Sequence, residues 1–298
     1  SLIFIILKNI QLILTFFTLW LSIFFDQILE DYTAYFSILT LGILHGANDI
    51  GIGKKTLNQK GFFSSKWFLL VTYVSSIILV AVLLYGIPGI TLALFILLSA
   101  FHFGEQHWNS LILKQDIFIK AFMMLYGLLI FSLLFRAHSE LVIKIIRDIT
   151  SISITEKFLD GLFLLSLVGS ILTYIFKLRY EFKSSFAFEQ LFYLLIFYVV
   201  FNSTTLLWAF AIYFIFWHSL PSLLDQMFFL YGNRSFSAFL KFLKASYLYW
   251  FLAVISLVLY YFVLQKYLVL ELSMFFAFLT ALTIPHIFLM YFLKNSKD

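Results

Sequence analysis

Runs of about 20 apolar residues, the length a helix needs to cross the hydrocarbon core of a bilayer, recur along the whole of this chain. Backbone polar groups in lipid must be satisfied internally, so such runs fold as helices. They lie near Leu2–Phe25, Tyr32–Ile52, Lys66–Ile87, Gly89–Gly104, Ile117–Phe135, Gly161–Phe176, Phe188–Phe201, Thr205–Leu224, Ala245–Leu264 and Leu270–Leu293. The pattern predicts an all-α, polytopic integral membrane bundle of about ten transmembrane helices, with residues 1–298 forming a single transmembrane domain. Eight or nine spans also fit, because Phe188–Phe201 is short and the Gly86–Gly89 turn could join half-helices. With 63% hydrophobic and 12% charged residues, nothing is left over for a soluble domain.

The charges give a second test of the span count. If both termini are cytoplasmic, ten spans place fifteen of the 20 Lys and Arg residues on the inner side, from Lys8 through Lys114, Lys183 and Lys294 to Lys297. Only Arg136, Lys144, Arg147, Lys157 and Lys266 fall outside, four of them in the Ala137–Asp160 segment. The net charge of +5 therefore reports topology in a cell membrane and not a nucleic-acid partner. No small-x-small cleavage site follows the first run, so Leu2–Phe25 reads as a retained span. The absence of cysteine excludes thiolate metal sites, iron–sulfur clusters and cysteine nucleophiles.

Ionisable residues within spans are functional candidates, and four of the six histidines fall there. His45, His102, His218 and His286 lie 9, 12, 16 and 8 residues before the next inner basic residue, on runs of one direction. At about 1.5 Å per residue these are comparable depths, so four helices could aim four imidazoles at one metal. Iron, copper and zinc all suit neutral imidazole. Asp49, Glu105 and Asp225 follow three of the histidines by four, three and seven residues, on the same helix faces. Each could accept the second N–H of a ligating ring and fix its tautomer, or cap a helix end beside a loop lysine. His107 should face away from the site and His138 should lie on the outer surface. Pro221 and Pro285 each remove a backbone donor beside a histidine, freeing a carbonyl and bending the span.

Other chemistries lack their residues. The clustered histidine boxes of membrane di-iron enzymes, a mid-span lysine for a retinal Schiff base, paired haem histidines on one helix, a G-x-S-G nucleophile and an H-E-x-x-H pair are all missing.

The ordered strings His45-Gly-Ala-Asn-Asp49, Phe101-His102-Phe-Gly104-Glu105, Trp217-His218-Ser-Leu-Pro-Ser222 and Pro285-His286 resemble the Brp/Blh family of membrane β-carotene 15,15′-dioxygenases. The resemblance covers most of the chain. It implies cleavage of the central double bond of β-carotene by O2 to give two retinals, with Fe(2+) held by histidines, among them His45, His102 and His218. The chain departs from the family pattern at Ser222, where another histidine is expected: either His286 completes the set, in line with the depth argument, or the site has three histidines or an altered activity. The family implies lipid and a retinal-binding opsin as functional neighbours. Aromatic residues near the motifs, Phe103, Trp108, Trp208, Tyr213 and Trp217, are candidates to line a polyene. A related oxygenase of different substrate or cleavage position, a non-catalytic carotenoid- or retinal-binding protein, and a haem or metal transporter are the other readings.

Overall fold

The computed structural model describes residues 2–61, 65–108, 116–180 and 184–294, and these are helix, turn and loop without a strand. The helices are α1 (Leu2–Ser22), α2 (Gln27–Ser37), α3 (Asp49–Gln59), α4 (Lys66–Gly86), α5 (Pro88–Trp108), α6 (Ile117–Ala137), α7 (Ser139–Thr150), α8 (Glu156–Thr173), α9 (Ser184–Ser203), α10 (Leu206–Ile212), α11 (Leu220–Tyr231), α12 (Phe236–Leu264) and α13 (Glu271–Lys294). Among the described residues, three π-helical turns, Ile38–Gly42, Tyr174–Leu178 and Tyr213–Ser219, interrupt or extend them. Among the described residues, nine helical stretches are long and apolar enough to cross a membrane. The protein is an all-α, multi-pass membrane protein. Polar side chains start the helices cleanly: Asp26, Ser65, Asp116, Thr155, Thr205 and Ser235 each accept a first-turn backbone N–H.

Two expectations change, at Tyr32–Ile52 and in the Ala137–Asp160 segment, while the separate spans expected on either side of Gly86–Gly89 are found. The run at Tyr32–Ile52 is not one span, because the chain passes from a π turn into a non-helical break at His45–Asn48 before α3 begins. The Gly86–Gly89 turn separates two helices of 21 residues each, and Pro88 opens the second, where its missing N–H costs nothing. The segment expected as an outer loop carries α7, whose Val142, Ile145 and Ile149 are buried while Glu140, Lys144 and Arg147 are exposed. Phe188–Phe201 lies within the 20-residue α9. Lys114, Lys183 and Lys297 lie outside the described residues.

The chain divides into two compact units, each assembled from three separated segments. The first comprises Ser1–Gly42, Ala100–Ile143 and Ile154–Pro221. Its centre is the crossing of the second half of α5 with α6. A Cβ on Gly104 would lie 1.8 Å from the Met123 carbonyl oxygen, and one on Gly127 would lie 1.7 Å from that of Ala100. Only glycine permits backbones this close, as at small-residue crossings between membrane helices. α6 packs in turn on α8 and α9, and α10 on α2. Buried Glu30 of α2 accepts the Thr205 backbone N–H at 2.8 Å, tying α2 to the start of α10.

The second unit comprises Ile43–Ser99, Lys144–Ser153 and Ser222–Asp298. Here α13 packs against α4, α3 and α12. Leu44, Met227, Ala238 and Phe242 form a buried apolar cluster. Lys55 Nζ donates to the carbonyl oxygens of Phe229 and Leu230 at 2.6 and 3.1 Å, satisfying acceptors at the end of α11. Asp148 of α7 accepts the backbone N–H groups of Val269 (3.1 Å) and Leu270 (2.9 Å), immediately before α13.

Candidate functional site

Each unit holds two buried histidines whose rings meet. In the second unit, His45 stands in the break before α3, where Gly46 and Ala47 close tight backbone turns onto Ile43 and Leu44 (3.0 and 3.1 Å). His286 lies on α13, one residue after Pro285. The two rings meet edge to face with centroids 4.9 Å apart. Asp49, the first residue of α3, is almost fully buried, and its carboxylate faces His286 Nδ1 at 2.8 and 3.0 Å. Tyr73 of α4 donates its hydroxyl to the same carboxylate at 2.5 Å. An ionised carboxylate only accepts, so Nδ1 of His286 carries the proton and Nε2 is the nitrogen suited to a metal. The helix dipole at the start of α3 favours the negative charge of Asp49. A Cβ on Gly46 would lie 3.6 Å from His286 Nδ1, an ordinary contact.

In the first unit, His102 on α5 and His218 on the π turn Tyr213–Ser219 also meet edge to face, with centroids 4.9 Å apart. Their surroundings are aromatic. Phe103 lies 4.4 Å from the His218 ring, and Phe214 lies nearly parallel to it at 5.6 Å. Phe131 and Tyr213 each pack against Phe103 at 5.5 Å. The π turn is needed for this arrangement, since i→i+5 bonding inserts an extra residue and redirects the side chains after it.

Of the proposed aromatic residues, Phe103 touches an imidazole of the pair and Tyr213 backs it. Trp217 packs on Phe197 and Tyr193, at 4.9 and 5.0 Å, and donates its indole N–H to Thr15 Oγ1 at 3.0 Å. Trp108 packs on Phe122 and Tyr126, and Trp208 on Phe25. Those three are core residues of the first unit.

The carboxylates separate. Asp49 meets His286, a partner that spacing along the chain did not indicate, because the four-residue rule assumes a continuous helix and the helix breaks between His45 and Asp49. Glu105 is buried one turn after His102. Asp225 requires correction: its side chain is 72% exposed and pairs with Arg234 at 3.1 Å, so it is a surface ion pair and not a support for His218. Ser222 is buried and accepts Gln226 Nε2 at 3.1 Å.

The two remaining histidines bond outside both pairs. His107 stays within α5, buried, with Nε2 at 2.5 Å from Gln190 Oε1 and its ring stacked on Trp217. His138 is half-buried and donates from Nε2 to the Phe201 carbonyl at 2.8 Å, holding the end of α6 to α9. Burial pushes its pKa below the usual 6.5, more than that hydrogen bond and the Asp31 charge restore.

Buried imidazoles, one oriented by a carboxylate through its far nitrogen, are a donor set that fits ferrous iron, and the chain has no cysteine to offer a thiolate. The family model for beta-carotene 15,15′-dioxygenase matches residues 36–294, a region containing all four motifs. No curated protein and no solved structure matches the chain. The chain belongs to the beta-carotene 15,15′-dioxygenase family.

Proposed function

We propose that this protein is an iron-dependent dioxygenase that splits the central double bond of β-carotene into two retinals, with His45, His102, His218 and His286 as the ligands of Fe(2+). The observation that carries this reading is the burial of four imidazoles, paired edge to face, on the four motifs that lie inside the family match. Asp49 orients His286, and Glu105, buried one turn after His102, would do the same for that ring. Ferrous iron, when bound, supplies the electrons that let triplet O2 react with a closed-shell polyene. Phe103 and Tyr213 give the His218 ring an apolar, water-excluding wall against which a hydrocarbon chain can lie. Both oxygen atoms of O2 leave in the two aldehydes, so no further reductant is needed. A C40 polyene dissolves in lipid and not in water, which accounts for the membrane setting. Both termini on the cytoplasmic face of the cell membrane would require the broken 27–59 run to cross as a tenth, interrupted span.

The test is pigment analysis in a β-carotene-accumulating host, beside His45→Ala and His286→Ala controls. Loss of β-carotene with two retinals gained for each, absent in both controls, supports the reading. Unchanged β-carotene with folded protein in the membrane overturns it in favour of another carotenoid substrate or of binding without cleavage.

A further inference from the structure

The π turn that carries His218 ends in a backbone problem that the turn cannot solve for itself. In its register the Leu220 N–H bonds to the Ile215 carbonyl, five residues back. The next bond of that register would run from residue 221 to the Phe216 carbonyl, and residue 221 is proline, which has no N–H. A carbonyl stranded in a membrane interior is costly. The missing donor comes from α1: Gln11 Nε2 donates to the Phe216 oxygen at 2.8 Å. One turn further along α1, Thr15 Oγ1 accepts the indole N–H of Trp217, the residue before His218, at 3.0 Å. Gln11 and Thr15 are 1% and 0% exposed, so water does not compete for either bond. On the other side of the turn, Ser219 Oγ donates to the Gly42 carbonyl at 3.1 Å. A Cβ on Gly42 would lie 2.8 Å from the Phe214 ring, so this contact needs glycine. Residues 216, 217 and 219 are thus all fixed from outside the turn, and His218 lies between them. The two bonds from α1 come from a helix that the family match, beginning at residue 36, does not cover.

We infer that α1 is a positioning clamp for the metal site: Gln11 and Thr15 hold the proline-terminated π turn in the one register that presents the His218 imidazole as a ligand. The iron part of this inference rests on the function proposed above, whereas the clamp itself does not.

The experiment compares wild type with Gln11→Met, which keeps the volume and helix propensity, and with Thr15→Val, a second variant in case the first does not fold. Thr18→Val, which removes only hydroxyl bonds to carbonyls of its own helix, serves as control. Amide hydrogen exchange on the metal-free full-length protein reads the turn directly. Peptides spanning 213–221 should exchange about tenfold faster in Gln11→Met or Thr15→Val, the factor that one lost buried hydrogen bond commands, while peptides of α13 stay unchanged. Iron titration of the same samples should show affinity weakened about tenfold, with Thr18→Val at the wild-type value. In the Gln11→Met background, Pro221→Ala returns a backbone N–H and should recover at least half of the lost protection.

Unchanged exchange over 213–221 in both variants overturns the clamp whatever the activity. Faster exchange with unaltered iron affinity in a wild type that binds iron overturns the link to His218. A wild type that binds no iron sinks the proposed function instead, and the exchange data still decide whether α1 holds the turn.

Discussion

His286 meets His45 in a polar niche, in which Asp49 takes the His286 N–H and Tyr73 donates to the same carboxylate, whereas His102, on a helix fixed by glycine-to-backbone contact, meets His218 beside Phe103 and Phe214. His286 is oriented by a hydrogen bond to a side chain; His102 is oriented by where the backbone of its helix is allowed to lie. Hydrogen-bonded support is local and chemically specific, so removing it alters a nitrogen and leaves the fold. Support through packing is collective, so removing it alters the fold before it alters any nitrogen.

The largest effect should come from the backbone contact. Gly104→Ala or Gly127→Ala puts a methyl group within 2 Å of a carbonyl oxygen of the facing helix, and the helices must separate at a cost of about 3 kcal/mol or more. Folded yield and thermal unfolding in detergent read this directly. Gly46→Ala, beside His286, meets only ordinary contacts and should retain wild-type unfolding behaviour. Equal losses at Gly46 and Gly104 would erase the contrast between the pairs.

Next in size is Asp49→Asn, which keeps the shape and removes the charge that fixes the His286 tautomer. Iron affinity should fall about 10- to 100-fold while the melting temperature of the metal-free protein changes little. A smaller effect is expected at Phe103→Leu, which thins the aromatic wall beside His218. Turnover of β-carotene should fall about fivefold, the equivalent of roughly 1 kcal/mol of lost contact, with iron content unchanged. Loss of iron in Phe103→Leu would show that the aromatic wall holds the ligand as well as the substrate.

The smallest effect is a pH dependence that belongs to neither pair. Burial holds the His138 pKa below 6.5, so the folded protein binds fewer protons there than the unfolded chain. Its contribution to stability is complete above about pH 6.5 and diminishes as pH falls below that value, where the unfolded imidazole protonates first. Thermal unfolding between pH 7.5 and 5 should steepen in wild type and flatten in His138→Gln. An unchanged profile in the variant would assign the dependence to another group.

How far the sequence could be read follows the same division. Helices and most of their limits were legible because apolar run length is set by the bilayer, and the four buried histidines stood out because lipid makes every polar residue conspicuous. The break at His45–Asn48 was less legible, since Gly46, Ala47 and Asn48 are all tolerated in helices and the turn is held by contacts made later in the chain. With the break unseen, helical spacing paired Asp49 with His45 and gave no sign of His286. Asp225 fits the same seven-residue pattern as any buried face, and only Arg234 places it at the surface. Gly104 was noted as part of a motif, but its reason lies on α6, at Met123. Gln11, Thr15 and Tyr73 carried no local signal, because their partners are far along the chain.

The two amides that Asp148 accepts just before α13 set the height of a ratchet. From Leu270 to His286 is sixteen residues, about 24 Å of helix, and a slip of one residue would move the imidazole by about 1.5 Å and swing it through about 100°. That swing would carry Nδ1 out of reach of Asp49. The interfacial carboxylate thus works as an escapement for α13, converting a continuous range of axial positions into a single tooth, and the alignment of a ring deep in the membrane is decided at the water's edge.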